Sequence, residues 1–390
     1  MTARSSTIGE IVSPVQTWNP SSQTQDGTFR YIDLSSVDNG AKVVRSIQDI
    51  RFEDAPSRAR QLVKRDDVLV STVRPNLNGV AKLDDKFDGA TASTGFCVLR
   101  PKPQAVSSNY LFQWVKSPMF VSDMTRKATG QSYPAVSDRI ISESLVPLPP
   151  LDEQRRIAAI LDQTDDLRRK RRGALEMLSS LPQIIFDDMF GNWSRPGFYS
   201  SLIELGSQLD FLTSGSRGWA KHYSETGSLF LRIQNVRHDE LNLNDVAFVD
   251  APPTAEALRT KVKPGDVLLS ITADLGRTAV IPANIGDAFI NQHLSILRSS
   301  KLEPRYLSAA LSSRAGQIGI QKKNREGVKA GLSFDDIRTL KIPDIDLSTQ
   351  RAFAARAAEV DKLKTKYHAH LARLDALFAS LQYRAFHGEL

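Results

Sequence analysis

Two short stretches carry side chains suited to reading nucleic acid. Arg74-Pro75-Asn76-Leu77-Asn78 follows an apolar run of strand character, and Arg126-Lys127-Ala128-Thr129-Gly130-Gln131-Ser132-Tyr133 is a basic loop-like segment. Arg, Asn and Gln can bond a purine edge bidentately, while Lys and Arg also neutralise phosphate. Two later stretches sit in comparable places: Thr272-Ala273-Asp274-Leu275-Gly276-Arg277, and Lys322-Lys323-Asn324-Arg325-Glu326-Gly327-Val328-Lys329. The candidate DNA contacts are therefore Arg74, Asn76, Asn78, Arg126, Lys127, Gln131, Ser132 and Tyr133, then Thr272, Asp274, Arg277, Lys322, Lys323, Asn324, Arg325 and Lys329. Lys127 and Lys323 correspond, but their neighbours differ. Similar frames with different tips suggest two different targets; two solvated loops that drifted apart would leave the same pattern.

Catalytic signatures are absent from the sequence. It has no phosphate-cradling glycine loop, no dinucleotide fingerprint, no His-Glu-x-x-His, no nucleophile elbow and no cysteine pair for zinc. His368 and His370 lie two apart on a predicted helix and point to different faces, as surface residues do. Asp84-Asp85-Lys86 resembles a fragment of a nuclease motif but sits in a turn-like acidic stretch. A self-sufficient nuclease or methyltransferase is disfavoured, and no cofactor or metal is expected on this chain.

Positioning such loops falls to an architecture that is written twice. Tyr110 to Phe190 aligns without gaps on Tyr306 to Phe386 at a shift of 196, with 19 identities over 81 positions. Average composition would give about five. Upstream, Asp67-Val68-Leu69-Val70-Ser71 matches Asp266-Val267-Leu268-Leu269-Ser270 at a slightly different shift. Each copy is a β-rich mixed α/β domain followed by a long helix, with shorter helices near Tyr110 to Phe120 and Tyr306 to Gly316. The predicted divisions are residues 1–147, a spacer helix over 148–192, a second domain over 193–343 and a second spacer over 344–390.

The 390 residues suffice for two or three cores at 41% hydrophobic content, and no apolar run is long enough to span a bilayer. No signal peptide is recognisable at Met1 to Pro14. With Cys97 as the one cysteine no internal disulfide can form, and a reducing cytoplasm is expected. A net charge of +7 permits a polyanionic partner. Yet residues 1–150 and 196–341 each carry 18 basic and 15 acidic side chains, so any nucleic-acid contact must concentrate charge on particular loops.

Both long helices carry a heptad stripe. In the second it runs through Phe353, Val360, Tyr367, Leu374 and Leu381; in the first, Ile157, Leu161, Arg171, Leu178 and Ile185 supply the facing seam. Antiparallel pairing would bring Arg171 near Tyr367. Asp152 and the aligned Ser348 are predicted helix caps, Gly191-Asn192 a stop, and Pro182 a kink or break. The run Arg168-Arg169-Lys170-Arg171-Arg172 reads first as a charged solvent face.

Leu148-Pro149-Pro150-Leu151-Asp152-Glu153-Gln154-Arg155-Arg156-Ile157, followed by a helix ending at Phe190-Gly191, resembles the conserved spacer of specificity subunits of type I restriction-modification systems. Ile342-Pro343 through Gln350-Arg351, on to Phe386-His387-Gly388-Glu389-Leu390, resembles the C-terminal spacer. Gly265-Asp266-Val267-Leu268 sits where that family has the same motif; the first copy has Asp66-Asp67 there. The resemblance covers essentially the whole chain. It implies two α/β target recognition domains reading the halves of a bipartite double-stranded DNA site, and an antiparallel coiled coil setting their spacing. It also implies docking of two modification subunits that methylate adenine N6 with S-adenosylmethionine, and possibly of two restriction subunits using ATP and Mg. The chain itself would be non-catalytic. The alternative is a coiled-coil protein-interaction scaffold, whose contacts with DNA would be weak and insensitive to salt.

Overall fold

The structure, a computed structural model, describes residues 5–23, 26–195, 201–324 and 331–390. It divides into two compact units, Met1–Gly173 with Ala369–Leu390, and Ala174–His368. Each long helix, Leu151–Phe190 and Leu347–His387, begins in one unit and ends in the other.

The first unit holds two four-stranded sheets. One orders Gln48–Arg51, Thr28–Ile32, Thr91–Ser93 and Ala59–Leu62; the other orders Val12–Ser13, Phe96–Pro101, Val68–Ser71 and Val80–Lys82. The second unit repeats both. Phe211–Ser214, Leu294–Arg298, Val267–Ser270 and Thr278–Val280 match the latter sheet, and a sheet containing the parallel pair Ser228–Leu231 and Ala288–Ile290 matches the former. Its core strands are apolar on both faces, as strands sandwiched between two layers must be: Val68, Leu69 and Val70, and Val267, Leu268 and Leu269, are all buried. The mixed α/β class and the duplication are both present.

Three of the identities between the copies have matching structural roles. Ser117 and Ser313 cap the second of two short helices, accepting from Phe120 N (3.2 Å) and Gly316 N (3.1 Å). Each stretch predicted as one helix is therefore two: Ser108–Val115 with Pro118–Lys127, and Pro304–Ser312 with Arg314–Lys323. Tyr110 and Tyr306 donate to the carbonyls of Pro147 (2.8 Å) and Pro343 (2.9 Å). Gln154 and Gln350, buried at the start of the long helices, accept from Ser107 N and Glu303 N, both at 2.9 Å. These bonds tie each long helix to the domain that precedes it.

In the first unit the two helix segments run antiparallel, with Arg156 donating to Leu390 O (2.7 Å) and Arg168 to Asp375 (2.6 Å). Ile157, Ala158 and Leu161 pack in one cluster with Phe378, Ala385 and Phe386, and the Phe386 ring lies 4.9 Å from Trp114. In the second unit Phe353 packs against Phe186 and Phe190 at 5.3 and 5.9 Å. Among the predicted seam residues Ile157, Leu161, Phe353 and Val360 are buried, while Leu178, Ile185, Leu374, Leu381, Arg171 and Tyr367 are half-buried. Arg171 and Tyr367 fall in different units.

Two helix expectations are corrected. Asp152 and Ser348 lie inside the first turn rather than at the cap, because the helices start two residues earlier than the capping pattern suggested. The true cap of the second helix is Asp346, which accepts from Thr349 N (2.9 Å); hydrogen bonds from the Ser348 and Thr349 side chains hold its carboxyl down to about 2. Of the kink or break expected at Pro182, the break is absent: Leu151–Phe190 is one helix, and the ring removes a single backbone donor. The stop at Gly191 is present, with φ +63°.

Candidate nucleic-acid interface

In the first unit the strand Val68–Ser71 is anchored at its base by a buried charge pair. Asp67, 1% exposed, receives Arg100 Nε at 2.9 Å, Arg100 Nη2 at 2.7 Å and Lys64 N at 2.8 Å. At the strand's other end the chain passes Thr72 and Val73 and turns left-handed at Arg74, φ +50°, and again at Asn78, φ +48°. The short turn Pro75–Leu77 lies between them. Such conformations are unfavourable for residues with a Cβ, so the surroundings must enforce them.

What enforces the first is the loop that the sequence presents separately. Val73 and Thr129 each bridge to Ala135, Arg74 N donates to Pro134 O (2.7 Å) and Val136 N to Thr72 O (2.9 Å). Gly130, at φ +101°, is required: a Cβ there would stand 2.9 Å from Tyr133 O. The two candidate stretches thus form one exposed surface bearing Arg74, Asn76, Gln131, Ser132 and Tyr133. The Arg74 guanidinium lies over the Tyr133 ring, 4.9 Å from its centroid.

The second unit builds the same frame from different residues. Asp266, 1% exposed, takes Arg298 Nε at 2.6 Å and Nη2 at 2.7 Å. Gly265 is left-handed at φ +83°, as Asp66 is at φ +66°, so the Gly-Asp of this motif supplies a turn and a buried carboxylate. Thr272 bridges to Gly331, Leu332 N donates to Ile271 O (2.9 Å), and Ala273 repeats the left-handed turn at φ +62°. Alanine stands where the first unit has Arg74.

The remaining candidates differ in availability. Arg126 and Lys127 end the helix Pro118–Lys127 and both pair with Asp123, at 2.6 and 2.7 Å. Burial alone would raise the Asp123 carboxyl, but its bonds from Lys127 and Arg126 outweigh this and hold it below the usual carboxylate range. Arg277 pairs with Asp274 through Nε at 2.7 Å. Asn78 points inward, its amide donating to Lys116 O at 3.3 Å. Lys322 is exposed and Lys323 and Asn324 are half-buried at the end of Arg314–Lys323; Arg325 and Lys329 lie outside the described residues.

Sequence reasoning missed Gln292 and His293, which come from the turn before Leu294–Arg298. Thr272 Oγ1 meets His293 Nδ1, and His293 Nε2 meets Gln292 Nε2 at 3.0 Å, giving a polar trio at the rim of the second frame. Only strand pairing brings these residues together, so no spacing in the sequence marked them. In the basic run on the first helix Arg168 pairs with Asp165 and Asp375 and lies 4.3 Å over Phe378, Arg169 and Lys170 pair with Asp166, and Arg172 pairs with Asp375. Among the described residues no cluster of His, Cys, Asp and Glu could hold a metal, and no helix is long and apolar enough to cross a membrane.

The family model for the type I restriction modification DNA specificity domain matches residues 6–177. The chain is 22% identical over 315 residues to the type I restriction enzyme EcoBI specificity subunit of Escherichia coli, covering 72% of this chain and 66% of that protein. It is 26% identical over 289 residues to the MjaVIII specificity subunit of Methanocaldococcus jannaschii, covering 68% and 66%. The matched part thus spans just under two thirds of the length of these two relatives. A solved chain from a study of complex assembly and conformational transition of the type I R-M system superposes with a TM-score of 0.66 at 26% identity, over 100% of this chain and 98% of that one.

Proposed function

We infer that this chain, which belongs to the family of type I restriction-modification DNA specificity subunits, reads a bipartite double-stranded DNA site and catalyses nothing itself. The observation that carries this reading is one loop frame built twice with different tips. The left-handed turn at Arg74 recurs at Ala273, and the Val73–Ala135 bridge recurs at Thr272–Gly331, but the side chains they present differ. A repeated scaffold with unlike tips is what two unlike half-sites require.

The two readers correspond to residues 1–147 and 193–343, and the helical spacers to 148–192 and 344–390. Paired rods of fixed length set the separation of the half-sites by geometry, as dimeric readers do in units of the DNA helical repeat. Two modification subunits dock on the spacers and supply S-adenosylmethionine-dependent adenine methylation, and restriction subunits with ATP and Mg join them where present. The complex works in the cytoplasm. Affinity rests on phosphate neutralisation by Lys and Arg as well and falls with salt.

Exchanging residues 1–147 for the corresponding part of another specificity subunit tests the reading. Sequencing of adenine methylation in the host should show one half of the motif changed and the other retained. Change in both halves together, or no motif-dependent methylation with or without the chain, refutes it. A protein-interaction scaffold would leave methylation untouched.

A further inference from the structure

Resting on that reading, we propose that Arg74, held over Tyr133, reads a guanine in the half-site taken by the first unit, and that no described residue of the second frame supplies a counterpart of this contact. Among Arg74, Arg126 and Arg277, the candidate arginines that the structure describes, only Arg74 makes no ion pair with a carboxylate. Its side chain is exposed and its backbone is not free to move. Arg74 N donates to Pro134 O, Arg74 O accepts from Leu77 N (2.9 Å), and Val73 is bridged to Ala135.

The Tyr133 ring, 70% exposed, holds the guanidinium over itself, 4.9 Å from its centroid. A cation–π contact uses none of the guanidinium N–H donors, which stay available to a ligand. A planar fork of two parallel donors is the complement of guanine O6 and N7 in the major groove. Because the fork is already oriented, little side-chain freedom is lost when it docks.

A guanidinium fork also fits phosphate, so its neighbours decide between the two. Beside Arg74 stands the exposed amide of Asn76, and beside Tyr133 stand Gln131 and Ser132. These uncharged groups exchange hydrogen bonds with base edges and add no charge for a phosphate. The two nearby cations, Arg126 and Lys127, share Asp123. The loop surface is thus furnished for base edges around one oriented cation. In the second unit Ala273 occupies the corresponding left-handed position and Arg277 is held by Asp274, so among the described residues of that frame none presents a comparable fork.

The test uses the full chain assembled with its modification subunits, comparing Arg74→Ala, Arg74→Gln, Tyr133→Leu, Tyr133→Phe and the exchange of residues 1–147. Binding to a randomised duplex library at two salt concentrations and methylation of a plasmid library are the readouts. Arg74→Ala and Arg74→Gln should each cut the preference for G·C at one position of the first half-site by roughly ten- to a hundredfold, with the second half-site unchanged. Tyr133, as a positioning residue, should show part of that loss as Leu and retain the preference as Phe, which keeps the ring. Uniform weakening of all sequences with the salt slope reduced by about 1 would place Arg74 on phosphate and overturn the proposal. Relaxation at a base other than guanine would overturn it too. So would an unchanged motif in the Arg74 variants when the 1–147 exchange still changes the first half. An exchange that changes neither half would instead bring down the reading on which the proposal rests.

Discussion

Replacing Arg298 by Met should destabilise the second unit at its best-buried charge. Asp266 is 1% exposed and takes two bonds from Arg298, at 2.6 and 2.7 Å, and one from Lys263 N at 2.7 Å. Methionine preserves most of the apolar stem but leaves the carboxylate with one donor. Removing one partner of a buried pair costs about 3–5 kcal/mol. The Arg298 side chain is 26% exposed, so water can reach the space it leaves, and the lower end, about 3 kcal/mol, is expected here. For a unit of this size each kcal/mol moves the melting temperature by about 2–4 °C, so the drop should be roughly 6–12 °C. Thermal denaturation of the full chain measures it, with hydrogen exchange of the strand Val267–Ser270 locating the loss. In Asp266→Asn/Arg298→Met the buried charge is gone while Lys263 N keeps an acceptor, so more than half the loss should return. A single variant within about 1 kcal/mol of the parent, or a double variant no better than the single, would refute the assignment of stability to this charge pair. Arg100→Met acts on the same geometry at Asp67 and should cost a similar amount in the first unit.

Asp239 is expected to make stability depend on pH. Its Oδ1 is enclosed without a partner, and burial, only partly opposed by Ser308 and Arg305, pushes its carboxyl up to about 6. The folded-state pKa lies above the unfolded one, so the ionised form is penalised: the penalty is absent below about pH 4, grows between pH 4 and 6, and is complete above. Asp239→Asn should therefore gain about 2 kcal/mol at pH 7.5 and nothing at pH 4, measured by urea denaturation at both; an equal difference at the two would contradict this. Gln154→Ala removes bonds to Ser107 N, Ala105 O and Pro149 O and should destabilise the chain by about 2–3 kcal/mol, with Gln350→Ala similar; a loss under about 0.5 kcal/mol for both would show the clamp to be dispensable. Gly265→Ala, at φ +83°, should cost about 1 kcal/mol in the same assay, and a neutral result would mean the turn relaxes.

Much of this molecule was legible in its residues because repetition is visible without coordinates. The duplication, the apolar strands at Val68–Ser71 and Val267–Ser270, and the long helices with their glycine stop each rest on local patterning, which strand and helix periods record directly. Errors fell where a residue or two of register mattered. Asp152 and Ser348 have good capping chemistry, yet the cap of the second helix is Asp346, one residue before the helix begins at Leu347. Pro182 has the side chain of a breaker, but one missing donor does not outweigh packing along a forty-residue helix. Conversely, the helix segments of the first unit set the Arg168 guanidinium over Phe378, a pair that no spacing announces because its members are more than two hundred residues apart.

The sequence by itself determined that there are two similar domains, two long helices and two sets of unlike loop tips, since composition, period and identity are properties of the chain alone. Tertiary structure decided which of those tips are usable. Arg74 became an oriented donor only because the strand Val68–Ser71 delivers it beside a loop some sixty residues later, while Arg126, Lys127 and Arg277 met carboxylates and Asn78 met Lys116 O. Charge is local to a residue, but whether it is neutralised depends on what folding sets within a few ångströms of it.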